Sequence, residues 1–323
     1  MSVKKTLLFG LLWIAISSIA AAAPPARAPA TQVHALKITI LSTMLAQRGI
    51  GEWGFAALVE VDGHRLLFDT GARPRTVLDN ARELNIDLSD VEDVILSHFH
   101  DDHTTGLMTL RRELAKTNPK ALSRAHVAAG IFLPRRGDDG GNIMIAMRKD
   151  YEASGGTFVV NDQPEQLVPG VWLTGPVPRI YPEKNFGKGI QVLSGGNWIE
   201  DDVPDDQSLV FDTPRGLVVL SGCGHAGVIN TLQDAAGFTH AANVHAIVGG
   251  FHLFDMADER LVWTADKLRQ FHVARILGAH CTGIEAVHRL RELLGLSRRD
   301  CVVATIGATF DLADGVRTGA IAQ

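Results

Sequence analysis

The sequence predicts an α/β fold made of two halves with similar organisation. Strand-like and helix-like runs alternate at both ends of the 323-residue chain, and several strand-like runs end in loops that carry histidine. A loosely patterned stretch separates the two halves. The length is sufficient for one large domain or two ordinary ones.

In the first half, a strand-like run, a hairpin, a helix and a further strand follow one another. The turn Asp62-Gly63 joins the two strands of the hairpin, and Pro74 lies in the first turn of the helix. The predicted strands cover 37–42, 56–61, 65–69 and 93–97, and the predicted helix covers 74–84.

In the second half, three strands each open onto a glycine-containing loop with a histidine: His225, His252 and His280. The glycines allow the backbone to turn sharply there and to approach an ion closely. The predicted strands cover 208–212, 217–221, 244–248 and 274–277, and the predicted helices cover 227–235, 258–271 and 283–294.

The N-terminus resembles a targeting segment, so we predict a signal peptide over 1–23 and a Pro/Ala-rich linker over 24–36. Lys4 and Lys5 precede an apolar stretch shorter than the roughly 20 residues that span a bilayer, and small residues follow it. An uncleaved anchor is the alternative. We therefore expect a periplasmic or secreted protein with no stable membrane span after cleavage. One domain over 37–323 follows, with an insertion at about 111–206.

Composition favours a small-molecule substrate. The net charge is −5 and no long basic run is present, which argues against a nucleic-acid partner. Three cysteines are too few for a disulfide framework. We assign none of them as a ligand, although Cys223 lies two residues before His225, Cys281 directly follows His280, and the two thiols could pair. The oligomeric state is left open.

The most informative motif is the histidine box, His98-Phe99-His100-Asp101-Asp102-His103, which directly follows an apolar run. Alternate residues after a strand point to one side, so His98 and His100 can share an ion, while the turn directs Asp102 and His103 to a second point. Imidazole and carboxylate are donors that zinc and iron accept. The box therefore predicts a metal site.

Together with Phe68-Asp69-Thr70-Gly71, His225 and His280, the histidine box resembles the metallo-β-lactamase superfamily. The resemblance implies an αββα sandwich, two mixed sheets packed between outer helices. The loops around Cys223, Phe251 and Cys281 resemble the branch named for 7,8-dihydropterin-6-yl-methyl-4-(β-D-ribofuranosyl)aminobenzene 5′-phosphate synthase.

The resemblance also implies a site with two divalent ions, with Zn²⁺ expected and iron or manganese as alternatives. Asp69 would orient a ligand histidine. Where a bridging aspartate is common, this chain has His252, which would either bind an ion or line the site and face the substrate. We expect the site-lining role, in which His252 acts with Asp102 in catalysis. The implied ligands are His98, His100 and His225 for one ion and Asp102, His103 and His280 for the other.

These features predict an exported metal-dependent hydrolase that uses a metal-activated water on a small-molecule ester, lactone, phosphodiester or amide. Three alternatives stay open: a transferase like the synthase of the resembled branch, a mononuclear iron dioxygenase, and a non-catalytic metal-binding protein. Export argues against the synthase reaction, since pterin precursors are made in the cytoplasm.

Overall fold

The computed structural model describes residues 32–137, 141–186 and 189–322. The predicted signal peptide and the linker up to residue 31 lie outside this part of the chain. The end of the predicted linker belongs to the folded unit, because Val33 is buried and its N–H donates to the Asp212 carbonyl at 2.8 Å. Among the described helices, none has the length and apolar character needed to cross a membrane.

The described strands lie between residues 36 and 317. In chain order they are β1 (Leu36–Ser42), β2 (Ala56–Val61), β3 (His64–Phe68), β4 (Asp93–Ile95), β5 (Arg124–Ala128), β6 (Arg135–Arg136), β7 (Thr157–Asn161), β8 (Glu165–Val168), β9 (Val171–Leu173), β10 (Gln191–Ser194), β11 (Asn197–Glu200), β12 (Ser208–Thr213), β13 (Gly216–Ser221), β14 (Val244–Gly249), β15 (Arg275–Gly278), β16 (Cys301–Val303), β17 (Thr309–Asp311) and β18 (Gly315–Arg317).

The described helices fall between and after the strands, as the alternating sequence pattern predicts. They are α1 (Thr76–Glu83), α2 (Asp101–Thr104), α3 (Leu107–Leu114), α4 (Ile143–Ala153), α5 (Val228–Thr239), α6 (Asp258–Gln270) and α7 (Ile284–Leu294), with short 3₁₀ turns at His280–Thr282 and Ala320–Ala322. The predicted helices and strands of both halves are present, with ends shifted by a few residues.

Two large mixed sheets form the centre of the fold. The first has the order β18-β17-β1-β2-β3-β4-β5-β7, and strands β3, β4, β5 and β7 in it run parallel. The second has the order β16-β15-β14-β13-β12-β9-β8, with β13 to β16 parallel. Carboxyl ends of parallel strands meet at one edge of a sheet, and loops at such edges commonly bind ligands.

Side chains alternate between two packing layers along the strands, which defines four layers in all. In β13, Val218 and Leu220 enter the core between the two sheets, whereas Leu217 and Val219 pack beneath α5, α6 and α7. The outer face of the first sheet is covered by α1, α3 and α4 in the same way. The αββα sandwich that the resemblance implies is confirmed.

The segment 111–206, which we predicted as an insertion, contributes strands to all three described sheets. β5 and β7 extend the first large sheet, β8 and β9 extend the second, and β6, β10 and β11 form a small separate one. Val127, Val171 and Leu173 are buried in the main cores, so their strands belong to the sandwich itself. The nearby glycines and prolines hide this short apolar pattern in the sequence.

The two sheets approach each other closely where Gly222 follows β13. A Cβ at Gly222 would lie 2.1 Å from the Ser97 Oγ and 2.7 Å from the Asp69 Oδ2, both in the first sheet's loops. Neither side chain can move away freely, because Ser97 and Asp69 are fully buried and hydrogen-bonded to each other. Glycine is required at this crossing.

We predict that Gly222→Ala lowers the free energy of unfolding by about 1–3 kcal/mol, because the added methyl group overpacks this contact. Chemical denaturation of the purified protein measures the change. Gly237→Ala is the matched control, since a Cβ at Gly237 meets nothing within 4 Å and the residue lies within α5. Equal stability of Gly222→Ala and the parent protein would contradict the prediction.

Candidate metal centre

The histidines singled out in the sequence meet at one edge of the sandwich. The histidine box follows β4, and the loops after β13, β14 and β15 bring His225, His252 and His280 to the same place. The last residue of the box, His103, is held by the Phe68-Asp69-Thr70-Gly71 loop. The Thr70 N–H and hydroxyl both donate to the His103 carbonyl, at 2.7 and 2.9 Å.

The first donor group consists of His98, His100 and His225. Their ring nitrogens all lie within 4.8 Å of one another, and His98 Nε2 is 2.9 Å from His100 Nδ1. His225 Nε2 is buried and has no hydrogen-bond partner among the described residues. The three imidazoles predicted to share an ion are therefore brought together.

The second donor group contains the predicted Asp102, His103 and His280 and, in addition, Cys223. His280 Nε2 lies 3.1 Å from an Asp102 oxygen, and His103 Nε2 lies 3.8 Å from the other. Both ring nitrogens of His280 are buried without a hydrogen-bond partner among the described residues. Buried polar atoms are rarely left in this state, so a cation between these donors accounts for them well.

Asp69 contacts the second donor group directly, at His103, and the first donor group through Ser97. Its carboxylate accepts hydrogen bonds from the Ser97 N–H at 2.7 Å, from the Ser97 hydroxyl at 2.8 Å and from His103 Nδ1 at 2.7 Å. Ser97 Oγ is also 2.9 Å from His98 Nδ1. With its Nδ1 proton directed at Asp69, His103 presents Nε2 to an ion, which is the orienting role that the resemblance implies.

His225 is oriented by a segment that the sequence did not single out. Its Nδ1 donates to the Asn185 carbonyl. The buried Glu183 carboxylate holds this segment by accepting hydrogen bonds from the Asn230 N–H at 2.8 Å and the Ile229 N–H at 3.4 Å, in the first turn of α5. These contacts join residues far apart in the chain, and no local pattern marks Asn185 or Glu183 as part of a site.

His252 stands beside the first donor group rather than within it. Its ring centroid is 4.7 Å from that of His225, and it forms a third candidate group with Cys223 and His225. The left-handed backbone at His252, with φ of 48°, turns the side chain toward the cleft. This position suits either a ligand or a substrate contact, the two roles predicted for it.

Burial controls the charge of the first donor group. Desolvation lowers the pKa values of His98 and His225 well below the usual range and that of His100 to about 3, with the neighbouring imidazoles adding to the effect at His98 and His225. The three rings are consequently neutral at pH 7. Neutral imidazole is the form that binds a metal ion.

The second donor group, in contrast, favours a positive charge. Burial alone would lower the pKa of His103, but the carboxylates of Asp102 and Asp69 outweigh it and raise that pKa to about 9. Burial likewise opposes ionisation of Asp102, yet His103 and His280 hold its pKa below the usual value. The carboxylates of Asp69 and Asp102, which stabilise one positive charge here, would also stabilise a divalent cation.

Above the donors lies a cleft of about 250 Å³ with an aromatic rim. Trp53 packs against the His280 ring with centroids 4.9 Å apart and meets the Phe254 ring edge-on at 5.3 Å. A second cavity of about 540 Å³ shares Trp53, His100 and Asp102 with the first and extends toward Arg136. The site is thus open to a small molecule from one side.

With this fold and donor arrangement, the chain belongs to the metallo-β-lactamase superfamily, whose sequence model matches residues 54–280. Over 251 residues, it is 31% identical to the 7,8-dihydropterin-6-methyl-4-(beta-D-ribofuranosyl)-aminobenzene-5′-phosphate synthase of Methanocaldococcus jannaschii, covering 74% of this chain and 84% of that protein. The superfamily and the branch suggested by the loops after β13 to β15 are both confirmed.

Solved structures agree with this membership. Tm1679, described as a metal-dependent hydrolase of the beta-lactamase superfamily, is 27% identical with a TM-score of 0.68, covering 85% of this chain and 98% of that one. Zn²⁺-bound PqqB from Methylobacterium extorquens, at 14% identity and a TM-score of 0.53, shares the fold over 85% of this chain and 100% of its own.

We predict that Asp69→Asn weakens divalent-ion binding by about 10–100-fold, because an amide cannot accept all three hydrogen bonds and leaves the His103 ring poorly oriented. Titration of the metal-free protein with Zn²⁺ against a competing chelator measures the affinity. Asp101→Asn serves as the control, since Asp101 belongs to the histidine box but to neither donor group. Unchanged affinity in Asp69→Asn would refute the orienting role.

Proposed function

We propose that this protein is an exported hydrolase that depends on two divalent ions, most suitably Zn²⁺, and acts on a small-molecule ester, lactone, phosphodiester or amide. The main support is the pair of adjacent donor groups at the floor of an open cleft. Within these groups, His225 Nε2 and both ring nitrogens of His280 are buried without a hydrogen-bond partner among the described residues. Imidazole and carboxylate donors suit Zn²⁺, and also iron or manganese.

Ions bound there would lower the pKa of water from about 15.7 toward 7 and polarise the bond under attack. Asp102, which belongs to the second donor group and lines the cleft, would orient the attacking water through its carboxylate. His252 reaches the cleft beside His225 and would donate or accept a proton at the substrate. The Trp53 and Phe254 rings would exclude bulk water and hold the apolar part of the substrate.

Loss of either donor group should abolish turnover. We predict that His98→Ala and His103→Ala each bind fewer ions and lose at least about 1000-fold in activity, since metal activation supplies most of the rate. Elemental analysis and kinetic assays of the same preparations measure both effects. His288→Ala, an exposed histidine on α7, is the control. Full activity in a variant shown to be metal-free would disprove metal-dependent catalysis.

The substrate class can be found with a panel of chromogenic esters, phosphodiesters, lactones and β-lactams, assayed with and without chelator. Activity that chelator removes and Zn²⁺ restores supports the hydrolase. A complete absence of turnover on the panel, with ions bound, would instead favour a protein that binds metal without catalysis.

A second candidate is a transferase, favoured by the 31% identity to the Methanocaldococcus jannaschii synthase. Its test is the transfer of a dihydropterin methyl group that carries an esterified hydroxyl as leaving group to a ribofuranosylaminobenzene phosphate, which loses a proton. Mass spectrometry would detect the joined product and the released ester group. Product formation without hydrolysis of the panel would replace the hydrolase proposal. An iron dioxygenase would be recognised by one iron per chain and by oxygen uptake.

Export is part of the proposal because of the basic and apolar leader at the N-terminus. N-terminal sequencing of the protein from its native host, after separation of periplasm and cytoplasm, tests it. A mature N-terminus a few residues before Pro24 in the periplasmic fraction is the expected result. An intact Met1 in the cytoplasm would remove the compartment argument against the transferase.

A further inference from the structure

Cys223 lies among the ligand atoms rather than behind them. Its Sγ is 3.1 Å from His103 Nε2, and the sulfur, His103 Nε2, an Asp102 oxygen and a His280 ring nitrogen all lie within 4.8 Å of one another. The side chain is only 3% exposed. A thiol placed among three other donors has the surroundings of a ligand.

The backbone around Cys223 is built for close approach. Gly222 fits where a Cβ would strike Ser97 and Asp69, and Gly224 adopts a left-handed conformation with φ of 64°. Between them, Cys223 projects into the second donor group, and His225 two residues later projects into the first. One short loop therefore supplies a donor atom to each group.

Cys223 would give the second donor group a fourth protein donor. Asp102, His103 and His280 offer three, and a closed tetrahedral zinc site holds four. His280 is fully buried, and neither of its ring nitrogens has a hydrogen-bond partner among the described residues. An ion that satisfies His280 Nε2 would lie beside Asp102 and within reach of the sulfur.

We propose that Cys223 binds the second ion as a thiolate, completing the set of Asp102, His103 and His280. On binding, the S–H bond breaks, its proton passes to solvent, and a sulfur–metal bond forms. The inference rests on the two-ion site proposed above. A soft thiolate would favour Zn²⁺ at this position over the harder Mn²⁺ and reduce the net charge of the ion by one.

Cys281 provides a sharp internal comparison. Its Sγ lies 3.2 Å from the Cys223 Sγ and is equally buried, yet Cys281 belongs to none of the donor groups among the described residues. The two neighbouring thiols thus differ in their position relative to the other donors. If Cys223 were only a small buried side chain, its replacement and that of Cys281 should have the same consequence.

The experiment uses the full-length protein, stripped of metal and reloaded with Co²⁺, because thiolate binding to Co²⁺ gives a charge-transfer absorption band in the near ultraviolet. Cys223→Ser, Cys281→Ser and the parent protein are compared. Elemental analysis gives the number of ions per chain, and thermal unfolding of the metal-free forms shows that each variant folds.

We expect the band in the parent protein and in Cys281→Ser, and its loss in Cys223→Ser together with an affinity for the second ion at least about tenfold weaker. An unchanged band in Cys223→Ser, or its loss only in Cys281→Ser, would overturn the inference. If Cys223→Ser does not fold, Cys223→Ala provides the same comparison.

The outcomes also separate this inference from the proposed function. Two ions in the parent protein without the band would overturn thiolate binding and leave the two-ion site intact. One ion with a band that depends on Cys223 would support thiolate binding and contradict the two-ion site. One ion or none, without the band, would overturn both.

Discussion

The three hydrogen bonds accepted by the Asp69 carboxylate connect the fold to the candidate metal centre. Asp69 follows β3, and its oxygens hold the Ser97 backbone, the Ser97 hydroxyl and the His103 ring. Ser97 in turn contacts His98. A single buried carboxylate therefore positions His103 directly and His98 through Ser97. The backbone of Asp69 is left-handed, with φ of 58°, and the packing around it maintains this conformation.

The second half of the chain packs closely against Ser97 and Asp69. Gly222 allows the loop after β13 to pass against Ser97 and Asp69, and the Gln207 N–H, next to β12, donates to the Ser97 carbonyl at 2.9 Å. These contacts place Cys223 and His225 opposite the histidine box. The geometry of the site is thus a property of the interface between the two sheets, and the first and second donor groups each take side chains from both halves.

Electrostatics divides the site into two unlike parts. Deep burial keeps the imidazoles of the first donor group neutral, while Asp102 and Asp69 give the second a strong preference for positive charge. Cys223, placed between His103 and Cys281, belongs to the second part. If two ions bind as proposed, neutral rings would hold one of them and anionic ligands the other, and this difference would give the ions distinct roles in chemistry.

The sequence by itself determined the residue types and their local order: the histidine box after β4, the glycine and histidine loops after β13, β14 and β15, and hence the superfamily. Strand alternation and turn residues are local signals, so they could be read directly. The tertiary structure alone decided that strands within 111–206 complete both sheets, that Asn185 orients His225, and that Cys223 rather than Cys281 lies among the donors. These facts depend on packing between residues distant in the chain, which no local pattern encodes.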